Sequence, residues 1–272
     1  MGTPLVSVIM GVYNADEHLL DASIRSLLTQ TYENMEIIIC DDASTNGTSE
    51  WLARFAKMDK RIRLLHNPTN QHLAGTLNHC IREARGEYLA RQDADDISDP
   101  ERIEKQVAYL QEHRDIDFVG SNCRMFNPQN GVLGIRLMPG RPDKYDFLFN
   151  SPYIHGSLMF RSSCLNTECC YLVSKWTDRT EDYELFMRMY SMGYQGANMQ
   201  EPLYNYHYGT QQRQIALHYR IDEMVLRYRG FHSLGLLPKG LPYVVKPVVL
   251  GIMPGRLVSL LREKRMKIAV AS

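Results

Sequence analysis

Over the first half of the chain, compact apolar runs alternate with stretches in which apolar residues recur every three or four positions. Leu5 to Val12 (LVSVIMGV) is short, continuous and rich in β-branched residues, as a strand buried on both faces requires. Leu20, Ile24, Leu27 and Leu28 then fall at i, i+4, i+7 and i+8, one face of a helix. Met35 to Cys40 (MEIIIC) is a second buried strand; Trp51, Leu52 and Phe55 mark another helix, and Ile62 to Leu65 a short strand. Leu73, Leu77, Cys80, Ile81 and Ala84 form a helical stripe that stops at Gly86, a residue suited to a C-cap. Glu87 to Gln92 is the next strand, and Asp99-Pro100 offers an N-cap and first-turn proline to a helix burying Ile103, Val107 and Leu110.

Strands separated by helices imply right-handed crossovers and a mainly parallel sheet, an α/β fold. Ligands of such sheets sit beyond the carboxyl ends of the strands. Three of the expected strand ends run into polar or acidic clusters: Tyr13-Asn14, Asp41-Asp42 and Asp93-Ala94-Asp95-Asp96. The topology brings all three to one edge of the sheet.

From about Phe118 the pattern is less regular. Val132 to Leu137 and Ser157 to Arg161 read as strands, Asp182 onward and Arg213 to Arg229 as helices. After Leu236 the character changes, with prolines at 238, 242, 247 and 254 breaking apolar runs. There Lys239, Lys246, Arg256, Arg262, Lys264, Arg265 and Lys267 outnumber a single acid, Glu263. Such a segment suits either an anionic membrane surface or packing against the rest of the protein.

Composition narrows the class. Lys+Arg and Asp+Glu both total 31, which argues against bulk electrostatic binding of nucleic acid. No apolar run reaches the roughly 18 residues a membrane span needs. The start of the chain lacks the basic region of a secretory signal, and the six cysteines lack metal-ligand spacing. Free thiols and a cytoplasmic setting are expected.

In the Asp93–Asp96 turn, alternate carboxylates can point to a common centre, and hard oxygen ligands suit Mn²⁺ or Mg²⁺. The bland alternative is a solvated loop leading into the next helix. One carboxylate of Asp41-Asp42 can accept from a nucleobase N–H, or the pair can simply close a turn. Glu181 and Asp182 open a helix, where acids favour the dipole; the functional alternative is a general base for an acceptor hydroxyl.

Four segments, in this order and at these separations, resemble the family 2 inverting glycosyltransferases of GT-A fold, over residues from about Leu5 to Tyr208. They are VSVIMGVYN at 6–14, IIICDDAST at 37–45, LNHCIREARGEYLARQDADDISDPERIEKQ at 77–106 and TEDYELFMRM at 180–189. The resemblance implies a catalytic domain over 1–212, with a nucleotide-binding half at 1–117 and an acceptor half at 118–212. A helical, membrane-associating region at 213–272 follows. It also implies a UDP-sugar donor contacted by Gly11, Tyr13, Asn14, Asp42, Asn70, Asp93 and Ala94. A Mn²⁺ or Mg²⁺ ion is implied on Asp95, Asp93 and His207, with Asp182 as base and Glu181 as its alternative. His155 matches a position near a carbohydrate or lipid-linked glycan acceptor, and surface-polysaccharide synthesis at the inner membrane face is the implied setting. The chain departs from the family at Gly11, where proline is usual, at His72, where glycine is common, and at Leu77, where arginine is frequent. Two other classes compete: a sugar-phosphate nucleotidyltransferase, whose Gly-rich basic loop is missing at Met10–Asn14, and a sugar-nucleotide-binding module without turnover.

Overall fold

The computed structural model describes residues 2–167, 169–209 and 216–253. The first half alternates as its hydrophobic pattern predicts: β1 (Val6–Val12), α1 (Glu17–Leu28), β2 (Met35–Asp41), α2 (Thr48–Met58), β3 (Ile62–His66), α3 (His72–Glu83) and β4 (Tyr88–Arg91). Strands β3, β2, β1 and β4 lie side by side and parallel, in that order. Side chains alternate across β1. Val6, Val8 and Met10 join α1, α2 and their neighbours on one face, and Ile9 joins α3 on the other. The result is three layers, with helices covering both faces of the sheet.

Next come β5 (Ile97–Ser98) and α4 (Arg102–Glu112), then β6 (Phe118–Asn127), β7 (Gly131–Arg136) and β8 (Met159–Arg161). Helix α4 starts two residues later than Asp99-Pro100 suggests. The Asp99 carbonyl and carboxylate accept the N–H groups of Arg102 and Glu101 at 3.0 and 3.3 Å, closing a turn ahead of the helix. Beyond β8 are α5 (Glu181–Ser191) and β9 (Gly196–His207). Here the sheet becomes mixed, because β8 runs antiparallel between β4 and β6 while β9 runs parallel to β6. The long strands β6 and β9 escape the hydrophobic pattern because polar residues such as Ser121, Asn122 and Asn198 lie buried along them with hydrogen-bond partners. Two irregularities in β9, between the partners of Ser121 and Cys123, reset its register so that His207 ends opposite Phe126.

Two further helices follow: α6 (Leu217–Ser233) packs on α5, and α7 (Leu241–Ile252) packs on α6. Leu226, Phe231, Leu234, Leu236 and Val244 belong to the same core as α3 and α5. Arg227, almost wholly buried, fastens α6 by bonds to the Leu148 and Phe149 carbonyls, the Tyr183 hydroxyl and Glu223. Among the described residues the cysteines are free, all buried except the half-buried Cys170. No helix among those residues is long and apolar enough to cross a membrane. The stretch from 254 onward, with most of the basic tail, lies outside the described residues.

Candidate active site

At the ends of β1 and β2 the two neighbouring acids have different duties. Burial works against the charge of Asp41. Hydrogen bonds from the Ser44 and Ser49 hydroxyls and the Ser44 N–H, together with His66, nevertheless hold its carboxyl below the ordinary value. Asp41 is thereby committed to the turn. Asp42 Oδ1 accepts the Asn67 amide at 2.7 Å and the Gln71 N–H at 2.8 Å. Among the described residues its second oxygen takes no hydrogen bond, so a ligand N–H can be received there. Tyr13, half exposed, stands one residue beyond β1.

The other residues expected to contact the donor also make local contacts. Asn14, with φ of 47°, accepts the N–H groups of Thr45 and Asn46 and so clasps the β1 and β2 loops together. Asn70 accepts the His72 N–H at 2.9 Å. His72 itself has φ of 57°, the left-handed conformation that explains a glycine at the equivalent family position. A Cβ on Gly11 would lie 3.1 Å from Thr76 Cγ2, so this glycine lets α3 approach the sheet.

The turn after β4 is organised by two buried arginines. Arg91 Nη1 meets Asp93 Oδ1 at 2.5 Å, and burial acting against its charge is overcome by that partner. Arg102 donates to the Arg91 carbonyl at 2.7 Å, to Gln92 Oε1 at 3.0 Å, to Ser98 Oγ at 2.9 Å and to Gln106 Oε1 at 3.1 Å. Burial without a carboxylate partner pulls its guanidinium down to about 10. The Asp93 N–H donates to the Tyr204 hydroxyl oxygen at 3.1 Å, and the Asp93 carbonyl accepts the Ser23 hydroxyl at 2.8 Å. Ala94 packs against the core below.

Asp95 is about half exposed (55%), and its Oδ2 lies 3.3 Å from His207 Nδ1. The His207 N–H donates to Asp96 Oδ1 at 2.7 Å, whereas Asp96 Oδ2 is buried without a hydrogen-bond partner. Burial and the charges of Asp93 and Asp95 push the Asp96 carboxyl well above the ordinary range. Asp95 and His207 thus place a hard carboxylate oxygen beside a borderline imidazole nitrogen, a pair that fits Mn²⁺ better than Mg²⁺. The expected trio does not close, because Asp93 is turned onto Arg91. Among the described residues no three acidic, histidine or cysteine groups form a metal cage.

The first turn of α5 supplies the third part. Glu181 is buried (9% exposed), and desolvation, followed by the neighbouring Asp182 charge, raises it to about 7. Asp182 is also raised, chiefly by desolvation, with the Tyr183 N–H at 2.7 Å and the Arg91 charge pulling the other way. His155 hydrogen-bonds the Tyr171 hydroxyl at 2.6 Å, and burial, then Arg91, hold it well below the usual imidazole value. Asn78 fixes Tyr171 with two backbone bonds of 2.7 and 2.9 Å. Burial thus favours the uncharged imidazole of His155. Arg91, Arg102 and Asn67 were not among the residues expected from sequence. The available signal was a charged residue inside an otherwise buried strand, two positions before the first acid of the turn.

The family model described as glycosyl transferase family 2 matches residues 7–163. EpsE of Bacillus subtilis (strain 168), which carries a glycosyltransferase name, is 39% identical over 97% of this chain and 95% of its own length. WfgD of Escherichia coli, named UDP-Glc:alpha-D-GlcNAc-diphosphoundecaprenol beta-1,3-glucosyltransferase, is 38% identical over 50% of this chain and 51% of that protein. The mannosyltransferase PcManGT of Pyrobaculum calidifontis, solved with GDP-Man and Mn²⁺, has a TM-score of 0.60 at 21% identity. That match covers 96% of this chain and 79% of the other.

Proposed function

The chain belongs to glycosyl transferase family 2, and we propose that this glycosyltransferase draws its sugar from a UDP-sugar donor. The acceptor is a hydroxyl of a carbohydrate or lipid-linked glycan in surface-polysaccharide synthesis. The observation that carries this reading is the meeting of the acidic turn after β4 with the first turn of α5 around Arg91. The Asp42 oxygen left open beside Tyr13 supports recognition of uracil, whose N3–H it would accept. WfgD, whose name specifies UDP-Glc and a diphosphoundecaprenol-linked acceptor, supports both donor and acceptor class.

In the proposed reaction Asp182 removes the acceptor proton as the hydroxyl oxygen attacks the anomeric carbon. The bond to UDP breaks on the opposite face, its electron pair leaves with the β-phosphate, and the configuration inverts. A divalent ion on Asp95 and His207, with Asp93 beside them, would supply positive charge opposite the departing diphosphate. Arg91 orients Asp93 and lies close enough to act on both acids of α5. Holding donor and acceptor in register removes part of the entropic barrier. Family membership displaces the nucleotidyltransferase alternative. The test is nucleotide release from a panel of UDP- and GDP-sugars with Mn²⁺. Release from a UDP-sugar alone supports the donor assignment, and turnover of only GDP-sugars refutes it.

The setting we propose is the inner surface of a membrane. Support comes from α7, where Leu241, Val245, Val249 and Ile252 are exposed at spacings of 4, 4 and 3 along one face. The basic residues of the sequence beyond α7 suit an anionic headgroup layer.

A further inference from the structure

A cleft of about 720 Å³ opens between the first turn of α3, the loop over 173–178 and the first turn of α6, and Glu181 forms part of its wall. Two aromatic rings line it. Trp176 is 43% exposed, with the Arg229 guanidinium 4.4 Å from its ring centre; Tyr219 is half-buried, with Arg179 at 5.3 Å. Arginine contacts of this kind pin a ring in place. The wall also carries three acids, Asp178, Glu181 and Asp222, with Asp178 3.8 Å from His72, and one lysine, Lys175, while the Arg179 and Arg229 guanidiniums lie against its two rings.

Aromatic faces beside several acids favour a ligand that pairs an apolar face with hydroxyl donors. A pyranose meets both requirements, since its C–H face lies against an aromatic ring and its hydroxyls donate to carboxylates. The cleft also runs from the loop below Asp42 to the residue before Asp182, the two ends of the proposed reaction. We propose that this cleft seats the carbohydrate acceptor, one sugar ring resting on Trp176 and Tyr219 with its hydroxyls donated to Asp178, Glu181 and Asp222. The assignment rests on the transfer reading above and deepens it. His155, the acceptor contact expected from sequence, is not part of this wall and instead supports Tyr171.

The chain has two tryptophans, so Trp51→Phe leaves Trp176 as the sole indole reporter. The probes are the methyl β-glycosides of glucose, galactose and N-acetylglucosamine, with inorganic phosphate as the anionic control. At least one glycoside should change the Trp176 emission saturably while phosphate does not, and Tyr219→Ala should weaken that response. In turnover with the same glycoside, Trp176→Ala should raise its KM about tenfold, with Trp176→Phe restoring most of the loss. UDP affinity by calorimetry should be the same in all these variants. The proposal is overturned if no glycoside alters the emission, if phosphate does so instead, or if KM is indifferent to both aromatic substitutions while UDP still binds. Absence of UDP binding in the unsubstituted chain is a different failure, that of the donor reading, and removes this proposal with it.

Discussion

Asp182 and Glu181 share a helical turn, but their surroundings assign them different work. Both feel the Arg91 charge, but Asp182 has the shorter reach, whereas Glu181 faces the cleft and holds its proton to about 7. Asp182→Asn should reduce transfer by about 10²–10⁴-fold, the usual worth of a general base, with UDP affinity intact in calorimetry. Survival of transfer moves the base elsewhere. Glu181→Gln tests the electrostatics independently of turnover. The Glu181 carboxyl rises from 4.5 to about 7 on folding, so the native state keeps a proton that the unfolded chain has released. Its contribution to stability is fully present below 4.5 and is lost as the pH rises through 7. At about 1.4 kcal/mol per unit the loss is on the order of 3 kcal/mol. Urea midpoints should therefore fall between pH 5 and 8 in the natural chain and fall less in Glu181→Gln. Parallel pH profiles for the two proteins would contradict this assignment.

At the scale of elements, the site depends on how α4 braces the end of β4. Arg102 reaches back from the first residue of α4 to the Arg91 and Leu158 carbonyls, Gln92 and Ser98, and its guanidinium lies 5.0 Å from the Tyr204 ring centre. Arg102→Met strands several buried acceptors and should cost about 3 kcal/mol or more, read as a lowered urea midpoint. A cost below ~1 kcal/mol would mean that the turn is held without it. This brace also shows where sequence reading stops. The strand and helix pattern from Leu5 to Leu110 was legible because one periodicity governs each element, buried on both faces for strands and on one stripe for helices. The three polar clusters were legible because they follow those strands directly. Arg102 and Asn67 were not, since a buried polar residue is explained by partners distant in sequence, here 11 and 56 positions away for Arg102 and 25 for Asn67. Likewise His207 reaches Asp95 only through the irregularities in β9, which no local periodicity announces.

For the whole molecule, the sheet divides the work: its parallel half presents Asp42, and its mixed half carries His207 back to the acidic turn. Helices α6 and α7 join the core formed with α3 and α5, and α7 leaves an apolar stripe outward. The full chain should sediment with vesicles rich in phosphatidylglycerol, and Val245→Glu with Val249→Glu should reduce binding at least tenfold. Equal sedimentation of that variant would refute docking through α7. The claim on which the rest depends is a donor site built from Asp42, Asp95 and His207. Titration calorimetry of UDP and of GDP into the protein, with and without Mn²⁺, measures it directly, with Asp95→Ala as the comparison. The prediction is UDP binding that requires Mn²⁺, weakens at least tenfold in Asp95→Ala, and exceeds GDP binding. Equal or tighter binding of GDP, or UDP binding indifferent to both metal and Asp95, would contradict it.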